Sequence, residues 1–136
     1  MTNFYDVNAA NFFDATIDVD MGPIYDKFLP LVPDNGHILD AGCGSGRDAH
    51  HFIKQGYQAT AFDASRALCE LASMHMDQHV HCLRFNEITW QNHFDATWAC
   101  VSIFTLLKSS ILIRSSNHVR VVFQYWLHWS PEEKSV

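Results

Sequence analysis

Two carboxylates and three closely spaced glycines set the chemical question. Asp40, Gly42, Gly44 and Gly46 lie together in "DAGCGSG", and Asp63 follows 23 residues beyond Asp40. Glycine lacks a Cβ, so alternating glycines let the backbone turn sharply and approach a ligand closely. If a helix follows the turn, its first N–H groups and the positive end of its dipole favour a carboxylate or a phosphate. A second carboxylate, Asp63, ends the next apolar stretch and falls near the same turn. The chemistry on offer is therefore the binding of a carboxylate or a phosphate at the turn, with a second acid close by.

The elements that must position these residues are legible from pattern. "HILDA" is a short apolar run ending at the glycine turn, which predicts a buried strand. "RDAHHFIKQ" then starts a helix that stops at Gly56, and "YQATAFD" (57–63) alternates as a strand ending in Asp63. "SRALCELASMHM" (65–76) predicts a helix with Ser65 as N-cap and Leu68, Leu71 and Ala72 inward. "HCLRF" (81–85) and "FDATWACVSIF" (94–104) read as further strands, and residues 4–15 and 22–31 as short helices. Strand and helix alternating at this spacing implies parallel pairing through right-handed crossovers: an α/β, Rossmann-like, mostly parallel sheet with helices on both faces. Ligands of such sheets sit beyond the carboxyl ends of the strands. Asp40, Asp63 and the loops after Phe85 and Trp98 all fall at that edge.

Composition narrows the class. The chain has 136 residues, 48% hydrophobic and 18% charged, which fits one globular domain over 1–136. A net charge of −6 argues against a nucleic-acid partner. No uncharged apolar run reaches membrane-spanning length, and the acidic N-terminal stretch is not expected to be a signal peptide. Cys43, Cys69, Cys82 and Cys100 form no C-x-x-C pair, so a zinc site is not expected, and scattered thiols fit a reducing cytoplasm. There are nine histidines, but His75, His79 and His81 find no cysteine or acid at ligand spacing, so solvated loop histidines are expected and no metal. Arg47 and Asp48 suit a helix-start ion pair as well as a substrate role. Cys43 fits as a small packing residue within the turn.

A dinucleotide fingerprint would read G-x-G-x-x-G, whereas here the third glycine comes one place early and Arg47 follows it. The pattern D-x-G-x-G-x-G, with an acid ending the next strand, instead resembles the class I S-adenosylmethionine-dependent methyltransferases. "YDVNAANFFDATIDVDM", "ILDAGCGSGRDA", "TAFDAS" and "FDATWAC" together resemble a bacterial small-molecule branch of that family, near the tellurite-resistance methyltransferases, over about residues 4–104. The resemblance implies S-adenosylmethionine as cofactor and a small-molecule methyl acceptor. It implies that Gly42, Cys43, Gly44 and Gly46 hold the methionine part, with Asp40 at the head of the loop. It implies Asp63, followed by Ala64, on the ribose hydroxyls, and Asn86 and Glu87 near the adenine. Trp98 and Ala99 would pass beside the cofactor, and Tyr5 would reach it from an N-terminal segment folded over it. No catalytic acid or base is nominated, because displacement at an activated sulfonium needs positioning and a dry site more than proton transfer. Two rival readings stand beside this one: a non-catalytic, cofactor-binding remnant, and a nicotinamide-dependent oxidoreductase disfavoured by the glycine spacing.

The family pattern breaks near residue 103. Residues 1–100 hold 5 Lys+Arg and 13 Asp+Glu, whereas residues 101–136 hold 4 and 2; no glycine follows Gly56 and no aspartate follows Asp95. Read two nucleotides into each codon, "IFTLLK" permits Leu-His-Val-Pro-Lys and "LHWSPEEK" permits Ala-Leu-Glu-Pro-Gly-Gly-Lys, both motifs of the family and in order. The expectation is an atypical tail over 105–136, out of frame from about residue 103, with the C-terminal strands of the sheet missing. The alternative is a shortened homologue whose tail packs as a replacement.

Overall fold

The computed structural model describes residues 4–90 and 94–99, with side chains from Asp6 onward. Four parallel strands, β1 (His37–Ala41), β2 (Gln58–Asp63), β3 (His81–Cys82) and β4 (Ala96–Trp98), form one sheet in the order β3-β2-β1-β4. The helices are α1 (Phe4–Val7), α2 (Ala9–Thr16), α3 (Gly22–Phe28), α4 (Arg47–Lys54) and α5 (Arg66–Met76). Since every pairing is parallel, the ends of β1 and β2 open on one edge, where the glycine turn and Asp63 meet.

Strand alternation sorts the core into two faces. Ile38, Ala59, Ala61, Ala96 and Trp98 pack with Tyr25 and Phe28 of α3, Ala49 and Phe52 of α4, and Cys69, Ala72 and Met76 of α5. Leu39, Ala41 and Phe62 face the other way, against Phe85, Phe94 and Ala99, with Leu83, Ile88 and Trp90 alongside. Among the described residues the α-helices cover the first face, and loop residues with the 3-10 turn Phe85–Glu87 cover the second.

Several boundaries differ from the sequence reading, each for a local reason. The expected helix over 4–15 is two, divided at Asn8. The expected helix over 22–31 is α-helical only to Phe28 and tightens into a 3-10 turn over Leu29–Leu31, where Pro30 removes a backbone donor. The strand expected over 81–85 ends at Cys82, because Phe85 turns away to pack on Phe62 at a ring separation of 5.2 Å. The strand expected over 94–104 is formed at Ala96–Trp98; its continuation and the tail expectations for 103–136 lie outside the described residues. Leu71, expected inward, is half-buried, while Leu68 and Ala72 are buried.

Candidate functional site

The turn after β1 is built from left-handed backbone. Gly42, Gly44 and Gly46 have φ of 71°, 55° and 79°, conformations that side-chain-bearing residues rarely adopt. The N–H groups of Gly42 and Cys43 both donate to the Phe62 carbonyl at 2.9 Å, which ties the start of the turn to the end of β2. A Cβ on Gly46 would lie 2.8 Å from Met76 Sδ and 3.1 Å from Ala72 Cβ, so this glycine also lets α5 pack against the head of α4.

Asp63 joins the two halves of the site. Its Oδ2 accepts from the Gly44 N–H at 2.9 Å, and its Oδ1 accepts from the Ser65 N–H at 2.9 Å. Burial pushes its carboxyl above the ordinary 3.8, the backbone donors of Ser65, Gly44 and Ala64 oppose that, and the Asp6 charge adds to it. Each carboxylate oxygen carries two lone pairs, so the two N–H bonds leave acceptor capacity on both. Ser65 caps α5 as expected: its Oγ accepts from the Leu68 N–H at 3.2 Å.

Asp40 does different work. It is 2% exposed, and its Oδ2 accepts from the Ala49 N–H at 3.1 Å, satisfying an amide in the first turn of α4. Burial raises its carboxyl well above 3.8, with the Asp48 charge adding to the rise. Cys43 is a buried thiol held in its protonated form by burial and by the charges of Asp40 and Asp63. Trp98 is likewise committed to the core: its ring packs on Phe28, Phe52 and Tyr25, and its Nε1 donates to Asp48 at 2.8 Å. Ala99 is buried on the opposite face. Ala64, Asn86 and Glu87 are exposed, and Glu87 Oε1 accepts from the Arg84 N–H at 2.9 Å. The Tyr5 expectation concerns a side chain outside the described residues.

Three features escape a reading of spacing alone. Asp48 is buried and accepts from the Tyr25 hydroxyl, from Trp98 Nε1, and from Arg47 Nε at 2.8 Å, so the Arg47–Asp48 ion pair anticipated at the helix start is the centre of a polar cluster. Asp6 of α1 accepts from Ser65 Oγ at 2.6 Å and from the Ala67 N–H at 3.3 Å, fastening the N-terminal segment to the β2–α5 turn. The Phe12 ring of α2 lies over the glycine turn, 2.9 Å from where a Cβ on Gly44 would stand. Aspartates and aromatics are common at such places, and nothing in their order along the chain announces these contacts.

The family described as "Methyltransferase domain" matches residues 38–132, a span that runs from β1 through the segment expected to be atypical. Among solved structures, a TehB-like S-adenosylmethionine-dependent methyltransferase from Corynebacterium glutamicum superposes with a TM-score of 0.61 at 21% identity, over 72% of this chain and 57% of its own. The cyclase SpnF superposes at 0.58 with 20% identity, over 72% of this chain and 47% of its own. The 1,6-didemethyltoxoflavin-N1-methyltransferase of Burkholderia thailandensis, solved with S-adenosylhomocysteine, gives 0.52 at 24% identity, over 68% and 43%. The chain thus spans about half the length of the structures it resembles. No curated protein sequence matches it. The parallel sheet, the glycine turn between β1 and α4 and the acid ending β2 are those of the class I methyltransferase fold, and the chain belongs to the methyltransferase domain family.

Proposed function

We propose that the chain binds S-adenosylmethionine at the glycine turn and transfers its methyl group to a small-molecule acceptor. The observation that carries this reading is the 2.9 Å bond between Asp63 and the Gly44 N–H, which brings an acceptor-rich carboxylate against a turn whose alternate residues lack a Cβ. A ligand with vicinal hydroxyls beside an amino-acid part fits that pairing. Asp63 would take the ribose hydroxyls, with Ala64 beside them, while Gly42, Cys43, Gly44 and Gly46 would line the methionine part. Asn86 and Glu87 would border the adenine from the loop after β3. Asp40 would serve indirectly, by holding the first turn of α4, and Trp98 and Ala99 by fixing the strand end.

S-adenosylmethionine, when bound, supplies a methyl group on a sulfonium that is already a good leaving group. The chain's contribution is to orient that group and exclude water. Phe12 lies on Gly44 and Asp6 is bonded to the β2–α5 turn, so the N-terminal helices are placed to cover the turn, with Tyr5 in the same segment. Among the described residues no helix is long and apolar enough to cross a membrane. The net charge of −6 favours a small-molecule acceptor over a nucleic-acid partner, and the free thiols of Cys43, Cys69 and Cys82 fit the reducing cytoplasm.

The second reading is a cofactor-binding remnant without turnover, because Asp63 and the glycine turn account for cofactor binding while no described residue is assigned to the acceptor. Calorimetry with S-adenosylhomocysteine and NAD, followed by turnover in a broad acceptor screen, separates the readings. Binding of S-adenosylhomocysteine with turnover is expected. Binding without turnover for any acceptor selects the remnant, and binding of NAD alone would overturn the methyltransferase reading.

A further inference from the structure

Helices α4 and α5 lie side by side on the sheet, and a second constellation sits on their outer surface. His50 of α4 and His75 of α5 turn ring nitrogens toward each other, Nδ1 to Nε2, at 3.0 Å. Their rings meet edge to face, with centroids 4.5 Å apart and planes at 79°. The helices are set close by Gly46, whose Cα faces Met76 and Ala72 where a Cβ would stand 2.8 and 3.1 Å from them. Phe13 adds an edge contact on His75, at 5.8 Å between centroids. The two imidazoles are therefore brought together by the packing of three helices.

Both line a cavity of about 340 Å³ whose wall also carries Asp18, Asp20 and His51. Arg47 and Lys54 are on that wall too, and the Arg47 charge is met by Asp48 at 2.8 Å. No glycine of the turn lines this cavity: its wall comes from residues 17–22, Tyr25 of α3, four residues of α4 and His75 of α5.

A nitrogen pair at this distance suits two occupants, a shared proton or a metal ion. Imidazole nitrogens bind zinc at roughly 2.0–2.1 Å, so two on one ion stand about 2.9 Å apart at a right angle and about 3.4 Å apart at the tetrahedral angle. The observed 3.0 Å lies within that interval. Imidazole is also the ligand type that zinc, copper and nickel favour. We propose that His50 and His75 form a two-imidazole clip for a divalent transition-metal ion, joining α4 to α5. With Arg47 paired to Asp48, the two acids Asp18 and Asp20 outweigh the single charge of Lys54 on the same wall and favour a cation, and the cavity has room for water in the ion's remaining positions. Among the described residues no group of three metal-type ligands converges, so the ion keeps water in its remaining positions and is held less tightly than at a closed four-ligand site. The absence of ligand spacing along the sequence does not bear on this pair, because its members are 25 residues apart and meet only through helix packing.

The test is a zinc chloride titration of the full chain, followed by proton–nitrogen spectra of the histidine rings. At one equivalent, His50 Nδ1 and His75 Nε2 are expected to shift together to metal-bound values. His75→Ala and His75→Gln, substitutions at an exposed position, should each weaken binding at least tenfold and abolish the His50 response. His79→Ala should leave both unchanged. Three results overturn the clip: shifts confined to other histidines, unchanged His50 and His75 nitrogens at saturation, or undiminished zinc affinity in the folded His75 variants. None of these readouts depends on methyl transfer.

Discussion

Replacing Asp63 by asparagine tests the junction on which the site depends. The carboxylate accepts one N–H on each oxygen, Ser65 on Oδ1 and Gly44 on Oδ2, both at 2.9 Å. An amide has one acceptor oxygen and one donor nitrogen, so whichever way it turns, one N–H group faces another. The Ser65 bond closes a tight local turn two residues long, whereas the Gly44 bond spans 19 residues, so the glycine turn is the partner released. Leaving a part-buried N–H without an acceptor costs about 1–3 kcal/mol, which is also what a hydrogen bond to a charged group contributes. The melting temperature should therefore fall by roughly 4 °C per kcal/mol for a domain of this size. Affinity for S-adenosylhomocysteine, measured by calorimetry well below that melting point, should fall by about 2 kcal/mol, or roughly thirtyfold. Lower stability with unchanged affinity would make Asp63 a loop tie only and refute the ribose assignment. Unchanged stability would refute the Gly44 bond itself.

Asp40→Asn keeps an oxygen for the Ala49 N–H and removes a charge whose carboxyl burial holds well above 3.8. A raised folded pKa means that the native state binds the proton more tightly than the unfolded chain. The wild type therefore loses stability as pH rises from 3.8 through the raised value, and urea denaturation should show Asp40→Asn gaining on it across that window. Asp48→Ala strands the Tyr25 hydroxyl and Trp98 Nε1 and leaves Arg47 with its bond to the Thr16 carbonyl, so denaturant unfolding should show a loss of about 3 kcal/mol. Thr97→Val should stabilise the fold by about 1 kcal/mol, because the buried Thr97 Oγ1 has no hydrogen-bond partner among the described residues; a loss of stability in the same assay would reveal one. Gly44→Ala places a Cβ 2.9 Å from Phe12 at a φ of 55°, and a loss of about 1–2 kcal/mol is expected, readable as a lower midpoint in urea.

What could be read in advance was what local order determines. The glycine turn, the strand and helix it joins, the Ser65 cap and the strand ending at Asp63 each depend on residues within a turn or two of one another, and each is where pattern puts it. The sites of failure are where a distant partner decides. Phe85 ends β3 early because Phe62 offers it a packing site. The indole N–H of Trp98 goes to Asp48, 50 residues away, a partner that no local pattern names. The Asp6 contacts with Ser65 and Ala67 span about 60 residues, and no periodicity encodes them.

The two aspartates show most clearly how register, invisible along the sequence, divides the labour. Asp63 ends β2 and Asp40 stands one residue before the end of β1, and the family resemblance implied both for the ligand site. In the sheet Asp40 stands beside Ala61, so Asp63 lies two residues further along its strand than the level of Asp40. Two residues keep the same side of the pleat and add roughly 6.6 Å along the strand. That step carries Asp63 past the end of β1 to the level of the glycine turn, where it is half-buried and bonded to Gly44. Asp40, left inside the edge on the face that α4 covers, meets the backbone of that helix instead. One residue of slip would turn Asp63 to the opposite face, and the carboxylate would be lost to the turn. The site thus depends on the parallel register of β1 and β2 as much as on its glycines.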